Sequence, residues 1–192
     1  MNTHIKKLNL GAGEHKKDGY INVDWQDSTK PDVKHDLNVY PYPFEDNAFD
    51  LIEASHVLEH LDKPFETMRE LHRILRPGGS LIVKVPHFSR GFTHAEHSHG
   101  FDITFPLYFN QAFTKSGYVG ISFKLINIRL DWLAFFHLLP FMGYGIISIS
   151  FLRLANSVVS SLANISPSFC SRIWCYWVGG FEQITFEFKS IK

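Results

Sequence analysis

The stretch Leu8-Asn9-Leu10-Gly11-Ala12-Gly13 constrains the fold of this chain more than any other. Alternating apolar and polar residues run into two glycines one position apart, the pattern of a buried strand that ends in a tight turn. Without a Cβ, glycine takes backbone conformations closed to other residues and lets a ligand approach the main chain. In open α/β sheets, a glycine turn at the carboxyl end of a strand is where nucleotide-like ligands sit. Spacing narrows the ligand class. A dinucleotide fingerprint would place a third small residue where this chain has Lys16, and an acid about 20 residues further on. Here the next acid to end a strand-like run is Asp24, in Tyr20-Ile21-Asn22-Val23-Asp24. No Gly-Lys-Ser/Thr follows the turn, so there is no Walker loop.

At 192 residues the chain is read as one domain, 1–192, with 131–180 as a helical cap inserted before the last strand. Its 19 basic residues are balanced by 19 acidic ones, which gives no broad basic field for nucleic acid and points to a small or localised partner. Cys170 and Cys175 form no CxxC pair and are expected to be reduced thiols in a cytoplasmic protein. Met1 to Leu10 lacks the apolar core of a signal peptide. Trp132 to Leu152 has no formal charge and is long enough to cross a bilayer, yet His137, Pro140, Gly143 and Gly145 interrupt it. A cap or a membrane-touching amphipathic element is the expectation there.

The rest of the chain alternates between strand and helix patterns. Lys7–Leu10 and Ile21–Asp24 are too close in sequence for a full crossover helix, so the first helix is at most a stub. Val33–Asp36 reads as a weak third strand and Ala48–Ala54 as the fourth. Asp62 is the expected N-cap of a helix with Pro64 in its first turn and Phe65, Met68, Leu71 and Leu75 at helical spacing. Arg76-Pro77-Gly78-Gly79 stops that helix, and Leu81–Val85 is apolar enough for a strand covered on both faces. A histidine-rich loop follows, then a helix within 104–116 ending at Gly117, a strand at Ile121–Leu130, a helix at Phe151–Ile165, and a final alternating strand at Ile184–Lys189 that suits a sheet edge.

Six motifs occur in order along this frame: Leu8-Asn-Leu-Gly-Ala-Gly13, Asn22-Val-Asp24, Asp36-Leu-Asn38, Phe49-Asp-Leu-Ile52, His56-Val-Leu-Glu-His60 and Leu75-Arg-Pro-Gly-Gly-Ser-Leu-Ile-Val83. Together they resemble the class I S-adenosylmethionine-dependent methyltransferases, closest to the type 11 branch. The resemblance covers about residues 5–130 and the final strand. It implies an α/β, Rossmann-like doubly wound fold: a mostly parallel seven-stranded sheet with an antiparallel last strand, a shortened first crossover and the helical cap. It also implies S-adenosyl-L-methionine as cofactor. Gly11, Ala12 and Gly13 would then pass beneath its methionine part, and Asp24 would accept from both ribose hydroxyls. Trp25 would flank the adenine, Asp36 and the Leu37 backbone would meet the adenine edge, and Ser55 with His56 would line the passage to substrate. Asn9 stands where the family commonly has an acid.

Methyl transfer needs a base when the acceptor is a hydroxyl or a protonated amine, and histidine suits that role near neutral pH. His97 and then His56 are the candidate catalytic residues, with His87, His94, His99 and Phe101 as candidate substrate contacts. Glu59 and His60 are read as a structural pair. The spacing His94-Ala-Glu96-His97-Ser-His99 has a metal-ligand look, but these histidines are read as loop or substrate contacts and no metal is expected. The leading expectation is O- or N-methylation of a small molecule or glycan. Two alternatives stay open: a non-catalytic module that keeps the fold, marked by Asn9 and the truncated first helix, and an enzyme docked through residues 132–165 on a membrane with a lipid-linked acceptor.

Overall fold

The computed structural model describes residues 5–91, 94–113 and 117–192. β1 (Lys7–Leu10) is the strand from which the sheet grows in both directions. On one side it pairs in parallel with β2 (Ile21–Asp24), which pairs in parallel with β3 (Val33–Lys34). On the other it pairs in parallel with β4 (Phe49–Ser55), and β4 with β5 (Leu75–Pro86). β7 (Gln183–Ile191) runs antiparallel between β5 and β6 (Ser122–Asp131), which completes a seven-stranded sheet in the order β3-β2-β1-β4-β5-β7-β6. The strand order reverses between β1 and β4, so the glycine turn after Leu10 opens at the switch point where open sheets bind ligands.

Register sorts the side chains into two unlike faces. Leu8, Ile52, Leu81 and Phe188 are aligned in one row and Leu10, Ala54, Val83 and Phe186 in the next, all buried. This apolar face is covered by α1 (Pro64–Ile74) and by a 3-10 turn at Phe105–Phe109, whose rings meet Phe65, Phe123, Phe186 and Phe188. α1 buries Pro64, Thr67, Met68, Leu71 and Ile74, a stripe at helical spacing, and keeps Glu66 and Arg69 on its wet side.

The opposite face carries Asn9, Asn22 and Glu53 side by side, and no apolar stripe for a helix to cover. The β1–β2 connection contains no helix. It lies over this face as a strap: Asn9 Nδ2 donates to the His15 carbonyl, the Lys17 amide donates to Asn22 Oδ1, and Lys17 and Tyr20 both reach Glu53. Burial opposes ionisation of Glu53, but the bonds from Lys17 and Tyr20 hold its carboxyl below the usual range. Burial and the adjacent Glu53 push the Tyr20 phenol up to about 12. The shortened first crossover follows from this polar strap.

Several elements differ from the sequence expectations. The final strand is interior, because β6 pairs with its outer side, and its burial pattern is that of a middle strand. Lys63 rather than Asp62 is the N-cap of α1, and no side chain caps the turn. α1 ends at Ile74, and residues 76–79 bulge out of the start of β5, between pairs Phe49–Leu75 and Leu51–Ser80. Lys84 is only half-buried, so the second face of β5 is not fully covered. Within 104–116 only the 3-10 turn forms, and residues 114–116 lie outside the described residues. β3 stops at Lys34, which leaves Asp36 in a turn.

A short α2 (Phe88–Gly91) follows β5, and between β6 and β7 the chain forms α3 (Ile146–Ala163) and α4 (Pro167–Arg172). α3 is fastened by its C-terminal half: Asn164 bonds both the amide and the carbonyl of Leu130, and Ser160 and Asn156 accept from the amides of Trp132 and Leu133. Its N-terminal half stands clear, with Ile146 and Ile147 over 80% exposed.

Candidate active site

Gly11 and Gly13 both take positive φ, and each has its own reason to be glycine. A Cβ on Gly11 would sit 2.4 Å from a methyl of Val57, so the loop after β4 packs directly on the turn. A Cβ on Gly13 would meet nothing within 4 Å, so this glycine borders open space. The amide of Ala12 donates to the Val23 carbonyl at 2.9 Å and that of Gly13 to Asp24 Oδ2 at 2.7 Å. Asp24 is 7% exposed, and its other oxygen accepts from the Gln26 amide at 2.9 Å. Both turn amides are therefore bonded within the protein, and the Asp24 carboxylate holds the turn to the end of β2.

The remaining residues of the predicted cofactor set spread from this turn. Trp25 follows Asp24 directly and is largely exposed. Asp36 is exposed and accepts from the Asn38 amide, while Leu37 is buried and its carbonyl accepts from the Tyr42 hydroxyl. Ser55 ends β4, half-buried.

His56 turns the chain at the end of β4. It has φ 56°, a left-handed conformation costly for a non-glycine residue, fixed by its amide donating to the Lys84 carbonyl at 2.8 Å. Its ring lies between Glu59 Oε1, 3.2 Å from Nδ1, and Gln183 Oε1, 2.9 Å from Nε2. The Gln183 amide orientation is set because its Nε2 donates to Asp131 Oδ2. His56 Nε2 therefore donates to Gln183, and Nδ1 faces Glu59 Oε1. In this arrangement both ring nitrogens are engaged, and Glu59 and Gln183 orient the imidazole. Phe135 tilts over the same ring at 5.1 Å, held there by Glu182 accepting from its amide.

Glu59 is where the histidines meet. It is fully buried, and one ligand atom each from Glu59, His60 and His97 lies within 4.8 Å of the others. The His94 ring stacks on His97 at 4.9 Å, and the Ser98 amide donates to the Glu59 carbonyl at 2.9 Å, which ties the loop over the turn after β4. Glu59 thus pairs with His56 rather than forming the expected structural pair with His60 alone.

Two of the predicted substrate contacts are elsewhere. His87 is completely buried, with its two ring nitrogens 2.8 Å from the hydroxyls of Ser89 and Ser171, and its ring against Phe88 and Phe181. Burial pulls its pKa down to about 4, so it is a neutral pin between β5 and α4. Phe101 is buried against Phe105 in the core. His99 is half-buried and His94 exposed. Sequence reasoning missed Gln183 and Phe135, which come from residues far along the chain and carry no motif; Glu59 was visible in His56-Val-Leu-Glu-His60 but its role was not.

With this geometry in place, comparison with known proteins is informative. A family model described as a methyltransferase domain matches residues 18–83. Over these residues the sequence is similar to the methyltransferase domains of that family. An uncharacterized methyltransferase of Schizosaccharomyces pombe is 40% identical over 47 residues, 24% of this chain and 17% of that protein. A ubiquinone/menaquinone biosynthesis C-methyltransferase of Pseudoalteromonas translucida is also 40% identical over 47 residues, 24% of this chain and 19% of its own length. The matches thus span under a fifth of these relatives. In fold, the chain is similar to a SAM-dependent methyltransferase from Archaeoglobus fulgidus, with TM-score 0.55 and 16% identity over 98% of this chain and 87% of that one. A structure described as a putative sarcosine dimethylglycine methyltransferase from Galdieria sulphuraria gives TM-score 0.57 and 14% identity over 98% and 78%. The glycine turn, Asp24 and Glu59 lie at or just beyond the carboxyl ends of β1, β2 and β4.

Proposed function

We propose that this protein is an S-adenosylmethionine-dependent methyltransferase with a small-molecule or glycan acceptor, methylated on oxygen or nitrogen. The observation that carries this is the joined pair of Gly13 and Asp24 at the switch point, open space on one side of the turn and a buried carboxylate on the other. S-adenosylmethionine, when bound, brings a methyl group already activated on a sulfonium sulfur. The chain's own residues supply binding and alignment, which account for much of the acceleration in such a displacement. Asp24 keeps lone pairs on both oxygens beyond its two amide bonds and would accept from the ribose hydroxyls. Since the Ala12 and Gly13 amides are bonded internally, the turn suits the amine end of the methionine part better than its carboxylate. Trp25 would lie along the adenine. Ser55 and His56 line the exit of β4, with Glu59 and Gln183 fixing the imidazole, and His97 stands beyond Glu59 as the base for an acceptor proton. The matched relatives named as C-methyltransferases make carbon a third acceptor atom to test.

Calorimetric titration of the purified protein with S-adenosylmethionine, followed by an acceptor screen reading S-adenosylhomocysteine, tests this. Saturable binding with product formed on an acceptor is expected. No binding by folded protein would favour a non-catalytic module.

A specific observation also favours work at a membrane surface. From Trp132 to Phe181 there is no Asp, Glu or Lys, only Arg153 and Arg172. Of the 18 residues of α3, only 11% are buried; Ile146, Ile147 and Phe151 in its first turns are exposed, as are Phe141 and Met142 just before it. An apolar surface of this kind with basic rather than acidic companions matches a bilayer containing anionic lipid. Because Asn164 and Ser160 fasten the other end of α3 to β6, the helix would dip into the interface while its far end stays on the sheet. Co-sedimentation with phosphatidylglycerol-containing vesicles is expected to carry the protein down, and Phe141→Glu with Ile147→Glu to release it. Equal recovery of both forms in the supernatant would end this reading.

A further inference from the structure

The carboxylate of Glu59 poses a problem that the methyl-transfer site does not solve. Its Oε1 is taken by His56, but Oε2 is buried and has no hydrogen-bond partner among the described residues. A buried carboxylate oxygen without a partner is strongly disfavoured, and in native proteins such an atom often marks an ion or water. The same carboxylate has metal-ligand side chains beside it. His60 and His97 each bring a ring nitrogen within 4.8 Å of a Glu59 oxygen and of each other. Two further bonds hold the group together: the Ser98 amide on the Glu59 carbonyl, which fixes the loop next to His97, and the His97 amide on the His94 carbonyl.

We propose that Glu59, His60 and His97 bind a divalent transition-metal ion of the zinc class. Two imidazoles and one carboxylate, without thiolates, suit zinc and its neighbours, whereas calcium and magnesium want mostly oxygen. Zinc holds nitrogen and oxygen donors at about 2.0–2.2 Å. His60 is exposed, and its ring already meets that of His97 at 4.8 Å. His56 on Oε1 then acts as the outer partner that orients the ligating carboxylate, as outer hydrogen bonds do in many metal sites. Three protein ligands leave one coordination position open, and with an ion bound His97 is a ligand and no longer the base for an acceptor proton.

The test uses the full chain, stripped with a chelator, dialysed and titrated with zinc chloride alone by calorimetry, with the melting temperature read in parallel. One ion per chain and a rise in melting temperature are expected. His60→Ala and His97→Ala should each weaken binding at least ten-fold, while His99→Ala, in the same loop but outside the set, should leave it within two-fold. Magnesium chloride should give no saturable heat. Glu59→Gln is less useful because the residue is fully buried and the variant can fail to fold; the exposed His60 keeps the test decisive. No saturable zinc binding, unchanged binding in both histidine variants, or magnesium binding as tight as zinc would overturn the proposal.

Discussion

The backbone amide of Gly13 donates to the carboxylate of Asp24 across 2.7 Å, so the turn after β1 and the end of β2 form one unit. Asp24→Ala removes both this bond and the acceptor for a ribose. A charge-assisted hydrogen bond contributes about 1.5–3 kcal/mol, so S-adenosylmethionine affinity should fall by about 10- to 100-fold. Calorimetry on both proteins reads this directly, and an unchanged affinity would move the ribose away from Asp24.

The two glycines of that turn should respond differently to a methyl group. In Gly11→Ala the new Cβ meets Val57 at 2.4 Å and also inherits a positive φ, so about 2–4 kcal/mol of stability should be lost. Gly13→Ala carries only the backbone penalty, about 1–2 kcal/mol, because nothing stands within 4 Å. Its methyl would instead enter the space where ligand is proposed to lie. Urea unfolding paired with cofactor titration should therefore show Gly11→Ala hurting stability most and Gly13→Ala hurting binding most.

His87 makes stability depend on pH in a definite direction. Its folded pKa is about 4, against about 6.5 for an exposed imidazole, so the unfolded chain takes up the proton first as pH falls. The stability it contributes is complete above about pH 6.5 and declines steadily down to about pH 4, by of order 3 kcal/mol. Urea midpoints measured between pH 7 and pH 4.5 should drop in wild type and drop less in His87→Gln.

α3 offers a contrast between its two ends. Ile147→Glu, at an 87% exposed position, should change unfolding free energy by less than about 0.5 kcal/mol. Ala163→Glu, at a fully buried one, should cost more than about 4 kcal/mol, because it places an unpaired charge in the core. Denaturation curves of the two variants in the absence of lipid would establish whether the free end carries any folding energy.

Much of the parallel half of the sheet could be read from the residues, because β1, β2 and β4 each end at a glycine or polar residue. Gly11, Asp24 and Ser55 mark the ends of β1, β2 and β4 in both readings. The absence of a full first helix could also be read, from the short distance between Gly13 and Ile21. What could not be read was its replacement, since the strap depends on Asn9, Asn22 and Glu53 meeting through strand register. The alternation of Ile184–Lys189 suggested an edge because one side of it is polar. That polar side faces the uncovered half of a middle strand, and only pairing with β6 reveals this. At the site, residue type located the histidines but not their burial. His87 and His97 look alike in the sequence, yet one is sealed behind two serines and the other stands beside Glu59.

The interior position of β7 has a consequence for how the chain is made. β6 is synthesised well before β7, its one sheet neighbour among the described residues, so it has no described strand to pair with until residues 183–191 emerge. The apolar α3 lies in that interval and leaves the ribosome while the sheet beneath it is still open. A nascent chain in this state exposes a strand edge and a greasy helix together, the two features that most invite off-pathway association.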